Sequence, residues 1–190
     1  EAVGPMDVQS RNGVVDVLVR DEAEAVHMAK RYLSYFQGPT AGHRCADQTA
    51  LRSVIPENRL RVYDIRQVIR TLVDEDSLLE LRAGFGKGLV SALVRIEGQP
   101  FGLIANDPTH LGGAVDCDGA DKGSRLFQLC DAFDLPVLSL VDTPGFMVGP
   151  DSEVQGAVRK TSRLFINAAQ LGTPFIAVVL RKAYGLGAQG

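Results

Sequence analysis

Val137-Leu-Ser-Leu-Val-Asp-Thr-Pro-Gly-Phe146, together with Pro174-Phe-Ile-Ala-Val-Val-Leu-Arg-Lys-Ala-Tyr-Gly-Leu-Gly-Ala188, decides the fold. Each stretch is an apolar run that empties into a Gly-bearing turn, and an amphipathic segment lies between them. Two strands separated by a helix, each ending in a small-residue turn, are how an α/β protein presents free backbone N–H groups to an anion. The nearly continuous apolar character of both runs predicts strands covered on both faces, in a parallel sheet joined by crossovers.

Outward from this pair, Glu153 to Leu171 reads as the connecting helix. Val154, Ala157, Val158, Thr161, Leu164, Phe165 and Ala168 fall on one side. Asp121 to Asp134 reads as a second helix with Leu126, Phe127, Cys130 and Phe133 inward, stopped by Pro136. Leu89 to Ile96 and Phe101 to Asn106 are strands joined through Glu97-Gly-Gln-Pro100, a hairpin-like turn, and Leu78 to Leu81 is a short strand. In Tyr63 to Leu72 the apolar residues Ile65, Val68, Ile69 and Leu72 recur at helical spacing. Asp64 stands as the cap, with Gln67 in the capping-box position. Asp21 to Phe36 is a helix whose acids lead and whose bases follow, with Val26, Ala29, Leu33 and Phe36 sharing a face. Gly13 to Val19 reads as a strand, and Gln37 to Ala50 as a loop or subdomain boundary.

Composition narrows the function classes. A formal net charge of -3 supplies no electrostatic footprint for nucleic acid. No apolar run approaches the roughly 20 residues that span a bilayer. Three widely spaced cysteines, Cys45, Cys117 and Cys130, argue against a disulfide framework and fit a reducing, cytoplasmic setting. His43 and Cys45 lack a second ligand pair nearby, so no metal site is expected.

Several motifs echo other chemistries. Asp142-Thr-Pro-Gly145 resembles a GTPase element, but Gly84-Phe-Gly-Lys-Gly88 lacks both the spacing and the Ser/Thr of a phosphate loop. Pro144-Gly145 also suits a type II turn. Gly185-Leu-Gly-Ala-Gln-Gly190 matches a dinucleotide fingerprint formally, yet Arg181-Lys-Ala-Tyr184 separates it from its strand. A Gly-rich turn packed on a neighbour is the plain reading of that segment, and an oxyanion hole is the chemical one. His110, in Thr109-His-Leu-Gly-Gly-Ala114, has no nucleophile in triad-like context and reads as a surface residue. Arg159, Lys160 and Arg163 form a basic helix face that is solvated or attracts a phosphate or carboxylate.

In order along the chain, Gly13-Val-Val-Asp16, Ile55-Pro56, Tyr63-Asp-Ile-Arg66, Leu93-Val-Arg-Ile-Glu-Gly98, Gly102-Leu-Ile-Ala-Asn106, Asp121-Lys122, Cys130-Asp-Ala-Phe133, Asp142-Thr-Pro-Gly-Phe146 and Arg181-Lys-Ala-Tyr-Gly185 resemble the carboxyltransferase component of biotin-dependent acyl-CoA carboxylases, the acetyl-CoA and propionyl-CoA class. The resemblance implies an α/β crotonase-like fold, a ββα spiral. Residues 1–50 would end an N-terminal carboxyltransferase half, and 51–190 would form a C-terminal half cut short. It implies transfer of CO2 from carboxybiotin to the α-carbon of a short acyl-CoA through an enolate, with two backbone oxyanion holes and no side-chain base. Gly187 and Ala188 map to one oxyanion hole. Gly112, Gly113, Gly145, Phe146, Tyr184 and Gly185 map to the substrate and biotin cleft. Implied partners are a biotin carboxylase and biotin carrier, and further copies of the same chain in a dimer or higher oligomer. The family's first-half oxyanion turn lies outside this sequence, so the 190-residue chain alone is expected to be inactive. The rival readings are a biotin-dependent decarboxylase subunit of the same fold and a non-catalytic scaffold built on it.

Overall fold

The computed structural model describes residues 3–58 and 60–188. Strands β1 (Leu79–Leu81), β2 (Leu89–Ile96), β3 (Gln99–Asn106), β4 (Val137–Thr143) and β5 (Phe175–Ala183) form one mixed sheet in sequence order. β1, β2 and β3 pair antiparallel, whereas β3–β4 and β4–β5 pair parallel. The helices are α1 (Met6–Gln9), α2 (Glu22–Ser34), α3 (Leu51–Val54), α4 (Ile65–Leu72), α5 (Cys117–Ala132), α6 (Pro150–Val154) and α7 (Ala157–Gln170). α5 connects β3 to β4, and α6 with α7 connects β4 to β5, as parallel pairing requires.

Alternation along the strands divides the core into two layers. On one face Leu89, Leu93, Ile104 and Val137 meet Leu126, Phe127 and Cys130 of α5 and Leu164 of α7. On the other, Val90, Val94, Leu103, Ala105, Leu138 and Leu140 meet Ile65, Val68 and Ile69 of α4. The small residues of α5 set its approach. A Cβ at Gly123 would lie 3.0 Å from Ile104 Cδ1 and from Leu164 Cδ1, so the helix lies close to the sheet and to α7.

The β2–β3 hairpin turns on Glu97 (φ 51°) and Gly98 (φ 79°), a pair of left-handed residues that matches the strands' twist. The buried Asp74 carboxylate accepts from Glu97 N at 2.9 Å and Gly98 N at 2.7 Å. Arg95 fastens α2 to this hairpin by donating to Ser34 O, Gly38 O and Gly98 O.

Several expectations need correction. Gly13–Val19 forms no strand: Val14 and Leu18 are exposed, and the segment is held by single bonds such as Arg82 N to Asp16 O. α2 half-buries Met28 and Tyr32, with Tyr35 buried and Phe36 half-buried just beyond it, while Val26 and Leu33 face solvent. The aromatic side chains have more apolar area to bury than the aliphatic ones, and they set the helix rotation. α5 starts at Cys117 rather than Asp121, because Asp116 caps it by accepting from Gly119 N at 2.7 Å. Phe133 is exposed at one edge, although its ring centroid lies 4.3 Å from that of Phe36. The 153–171 helix is two helices broken at Gly156, whose φ of 74° is left-handed, and this turns Val154 and Val158 outward. Among the described residues β5 is the edge of the sheet, and its residues Phe175 to Val179 are exposed, while α7 packs chiefly on α5.

Lys122 is fully buried. Its Nζ donates to Phe85 O at 3.0 Å, and burial lowers its pKa from the ordinary 10.5 to about 8. Between those values the folded state binds fewer protons than the unfolded state, so this group's contribution to stability rises with pH across that window. Lys122→Met removes the effect. Relative to this variant, the wild type should gain about 3 kcal/mol from pH 8 to pH 10.5, measured by urea unfolding of both proteins across the range. Parallel pH profiles would contradict the assignment.

Candidate functional site

The C-terminal ends of β4 and β5 bring all eight sequence-predicted site residues into one neighbourhood. β4 leaves the sheet through Thr143, whose hydroxyl accepts from Gly145 N at 3.0 Å and donates to Gly145 O at 3.2 Å. This hydroxyl clamp shapes Pro144-Gly145, with Gly145 at a φ of 121°. Gly145 O then accepts from Val115 N at 3.0 Å, and Val115 O accepts from Met147 N at 2.9 Å, so Val115 and Phe146 form a parallel bridge. The Phe146 ring stands edge-on to Phe165 of α7 at 5.7 Å between centroids, which fixes it as a wall.

Immediately before that bridge lies a short 3-10 turn, Leu111–Gly113. Gly112 and Gly113 both have positive φ, and a Cβ at Gly113 would collide with Asp142 O. On the β5 side, Tyr184 N donates to Thr143 O at 3.1 Å, which aligns the two strand ends. Gly185 has a φ of 62° and starts the 3-10 turn Leu186–Ala188. A Cβ at Gly187 would sit 2.7 Å from Gly145 C and 2.8 Å from Phe146 N, so only glycine lets these two backbones touch. Gly187 and Ala188 line a cavity of about 90 Å³ with Asn106, Val115, Ser139 and Val141. Ala188 N donates to Gly185 O at 3.3 Å within its own turn, at the long end of the hydrogen-bond range.

Beneath these turns is a buried polar cluster that the sequence reading did not find. Asp142 is fully buried. Its Oδ2 accepts from Tyr63 OH at 2.8 Å and from Arg181 Nε at 3.0 Å, and its Oδ1 lies 3.5 Å from Lys182 Nζ. Asn106 Oδ1 accepts from Asp142 N at 3.1 Å. The Arg181 guanidinium also stacks 4.8 Å from the Tyr63 ring centroid and donates to Arg61 O at 2.7 Å. Burial, and then the bond to Asp142, push the Tyr63 hydroxyl well above the usual tyrosine range, so Tyr63 stays a neutral donor. The available signal was a carboxylate ending one apolar strand and two consecutive bases ending the next.

A second cluster flanks the first. Arg66 grips Glu80 with Nε at 2.8 Å and Nη2 at 2.6 Å, and reaches Asp107 with Nη1 at 2.7 Å. The other sequence candidates have structural partners. His110 Nε2 lies 3.5 Å from the α5 cap Asp116. Lys160 and Arg163 pair with Asp121 at 3.1 Å and 3.9 Å, joining α7 to α5. Among the described residues no group of His, Cys, Asp and Glu could hold a metal ion, and no helix is long and apolar enough to cross a membrane.

Removing the Asp142 carboxylate leaves the nearly buried Arg181 without this charge partner. Asp142→Ala should cost about 3–5 kcal/mol of stability, read from the shift in denaturation midpoint. A loss under about 1 kcal/mol would mean that the cluster behaves as a surface ion pair.

The carboxyl transferase domain family matches residues 1–189. A Bacillus subtilis protein named as an uncharacterised carboxylase, YngE, is 38% identical over 186 residues, covering 94% of this chain and 36% of its own. A Mycobacterium tuberculosis protein, the beta5 subunit of a biotin-dependent acetyl-/propionyl-coenzyme A carboxylase, is 37% identical over 148 residues, covering 78% of this chain and 27% of its own. The structure of a single-chain, multi-domain long-chain acyl-CoA carboxylase superposes with a TM-score of 0.96 at 55% identity, over 99% of this chain and 19% of the other. The chain thus spans about a third of the length of the curated relatives it matches. It belongs to the carboxyl transferase domain family.

Proposed function

We propose that this chain is part of a biotin-dependent acyl-CoA carboxyltransferase, one that places CO2 on the α-carbon of a short acyl-CoA thioester. One observation carries the reading: three glycine-bearing turns, at 111–113, 144–146 and 185–188, converge at the ends of two parallel strands and present backbone rather than catalytic side chains. An enolate oxyanion is the kind of charge that preorganised N–H donors stabilise. In this reading residues 1–50 end an N-terminal half and 51–190 begin the C-terminal half of a crotonase-type ββα spiral.

The packing of the turns supports this reading. The glycine-only contact of Gly187 with Gly145–Phe146 leaves a narrow backbone-lined seam, and Phe146 is a fixed aromatic wall beside it. Gly145, Phe146, Gly112 and Gly113 would hold the biotin ureido ring. Biotin, when bound in its carboxylated form on a partner domain or subunit, supplies the CO2. Gly187 N and Ala188 N would donate to the thioester oxygen as negative charge develops on it. The long bond from Ala188 N to Gly185 O is a weak competitor that the oxyanion displaces. Tyr184 and Gly185 fix where that turn leaves β5. A biotin carboxylase with its carrier, and further copies of the chain, are the proposed partners in the cytoplasm.

Ala188→Pro deletes one N–H donor. In the full-length protein it should lower kcat for carboxyl transfer between malonyl-CoA and free biotin by roughly 10²–10³, with assembly intact by size-exclusion chromatography. Unchanged turnover would assign the oxyanion elsewhere. Wild-type full-length protein without any transfer between acyl-CoA and biotin would overturn the reading as a whole.

A further inference from the structure

The pairing of β4 with β5 breaks register beside the site. Val141 pairs with Val179, yet Thr143 pairs with Ala183. Asp142 alone therefore stands opposite Leu180, Arg181 and Lys182. Consecutive residues of a regular strand point to opposite faces, but this irregularity lets both Arg181 and Lys182 reach the Asp142 carboxylate. Arg181 is spent on Asp142, Tyr63 and Arg61. Lys182 lies at the other carboxylate oxygen, and its Nζ also donates to Gly112 O at 2.8 Å.

The turn that Lys182 reaches is costly to hold. Leu111, with its branched side chain, has a left-handed φ of 49°, and Gly112 and Gly113 follow at 62° and 88°, values that glycine adopts freely. Such a conformation persists only where the surroundings over-determine it. Apolar burial does not do this, because Leu111 is half exposed. The local bonds from Gly113 N to His110 O and from Ala114 N to Leu111 O curl the turn but do not place it. Its placement comes from the fit of Gly113 against Asp142 O, from the Val115 bridge that follows it, and from the Lys182 ammonium, which among the described residues bonds this turn from β5. Two residues later Val115 bridges Phe146, so a shift of the turn moves the Gly145–Phe146 wall as well.

We propose that Lys182 is a positioning residue. Held beside the Asp142 carboxylate, it latches the Leu111–Gly113 turn to the ends of β4 and β5 and so sets the biotin-side wall of the cleft; the biotin part of this role rests on the functional reading above.

The test uses full-length protein carrying Lys182→Met or Lys182→Arg. Without the ammonium, the amides of Gly113 and Val115 should exchange with solvent about tenfold faster, the loss of one charge-assisted hydrogen bond, while those of Leu89–Ile96 are unaffected. The KM for free biotin should rise by about tenfold while the KM for acyl-CoA stays within roughly twofold. Arg, which keeps the charge and the donors, should restore both quantities. Unaltered exchange at Gly113 and Val115 in the Met variant would sink the latch. Faster exchange with an unaltered biotin KM would refute the placement of the turn beside biotin. A wild-type protein that transfers nothing between acyl-CoA and biotin overturns the functional reading alone, because the exchange measurement still decides whether the latch exists.

Discussion

A carboxylate with no access to water, Asp142, constrains everything at the end of the β4–β5 pair. An isolated buried charge is prohibitively expensive, so cations and hydrogen-bond donors must meet it. A regular parallel strand would offer one side chain on the required face. The register break in β5 offers Arg181 and Lys182 together, and the price is a locally irregular ladder. Once both cations are drawn to Asp142, the path of β5 beyond Ala183 is set. Tyr184 N then bonds Thr143 O, and the Gly185–Ala188 turn lands against Gly145.

The turns themselves are built from absent side chains. Gly187 lies against the Gly145–Phe146 backbone, and Gly113 lies against the carbonyl of Asp142. Backbone N–H donors placed this way do not titrate, which suits the proposed reaction, whose charge would appear on a thioester oxygen. The cost falls on conformational freedom, because glycine loses more of it on folding than any other residue. The Thr143 hydroxyl, bonded to both Gly145 N and Gly145 O, offsets part of that cost locally.

The hairpin, α4 and the inward residues Leu126, Phe127 and Cys130 of α5 were legible in the sequence because each rests on a local rule: turn chemistry, a capped helix, an apolar stripe. The eight residues that the resemblance singles out do lie together on these turns, and their roles remain the proposal made above. What escaped depended on distant partners. The rotation of α2 follows from which aromatic side chains the core accepts, which spacing alone does not state. The helix break at Gly156 is one left-handed residue inside an otherwise helical pattern. Asp142 read as an echo of a nucleotide-binding element because its partners, Tyr63 and Arg181, lie 79 and 39 residues away in sequence. The exposure of β5 was hidden for a different reason. Its apolar run has the composition of a covered strand, but within the described residues it occupies the edge of the sheet.

An ion cluster is a poor choice for stability alone, since well-packed apolar residues of similar volume often serve as well or better. Its advantage here is directional. An apolar replacement of Asp142, Arg181 and Lys182 would fill the same space yet leave β5 free to pair in regular register, which moves Ala183 and everything after it along the strand by about 3.3 Å per residue. A displacement of that size is larger than the tolerance of an N–H donor aimed, as proposed, at a developing oxyanion. The cluster therefore trades some stability for a single register, and the register is what sets Gly187 and Ala188 opposite Gly145 and Phe146.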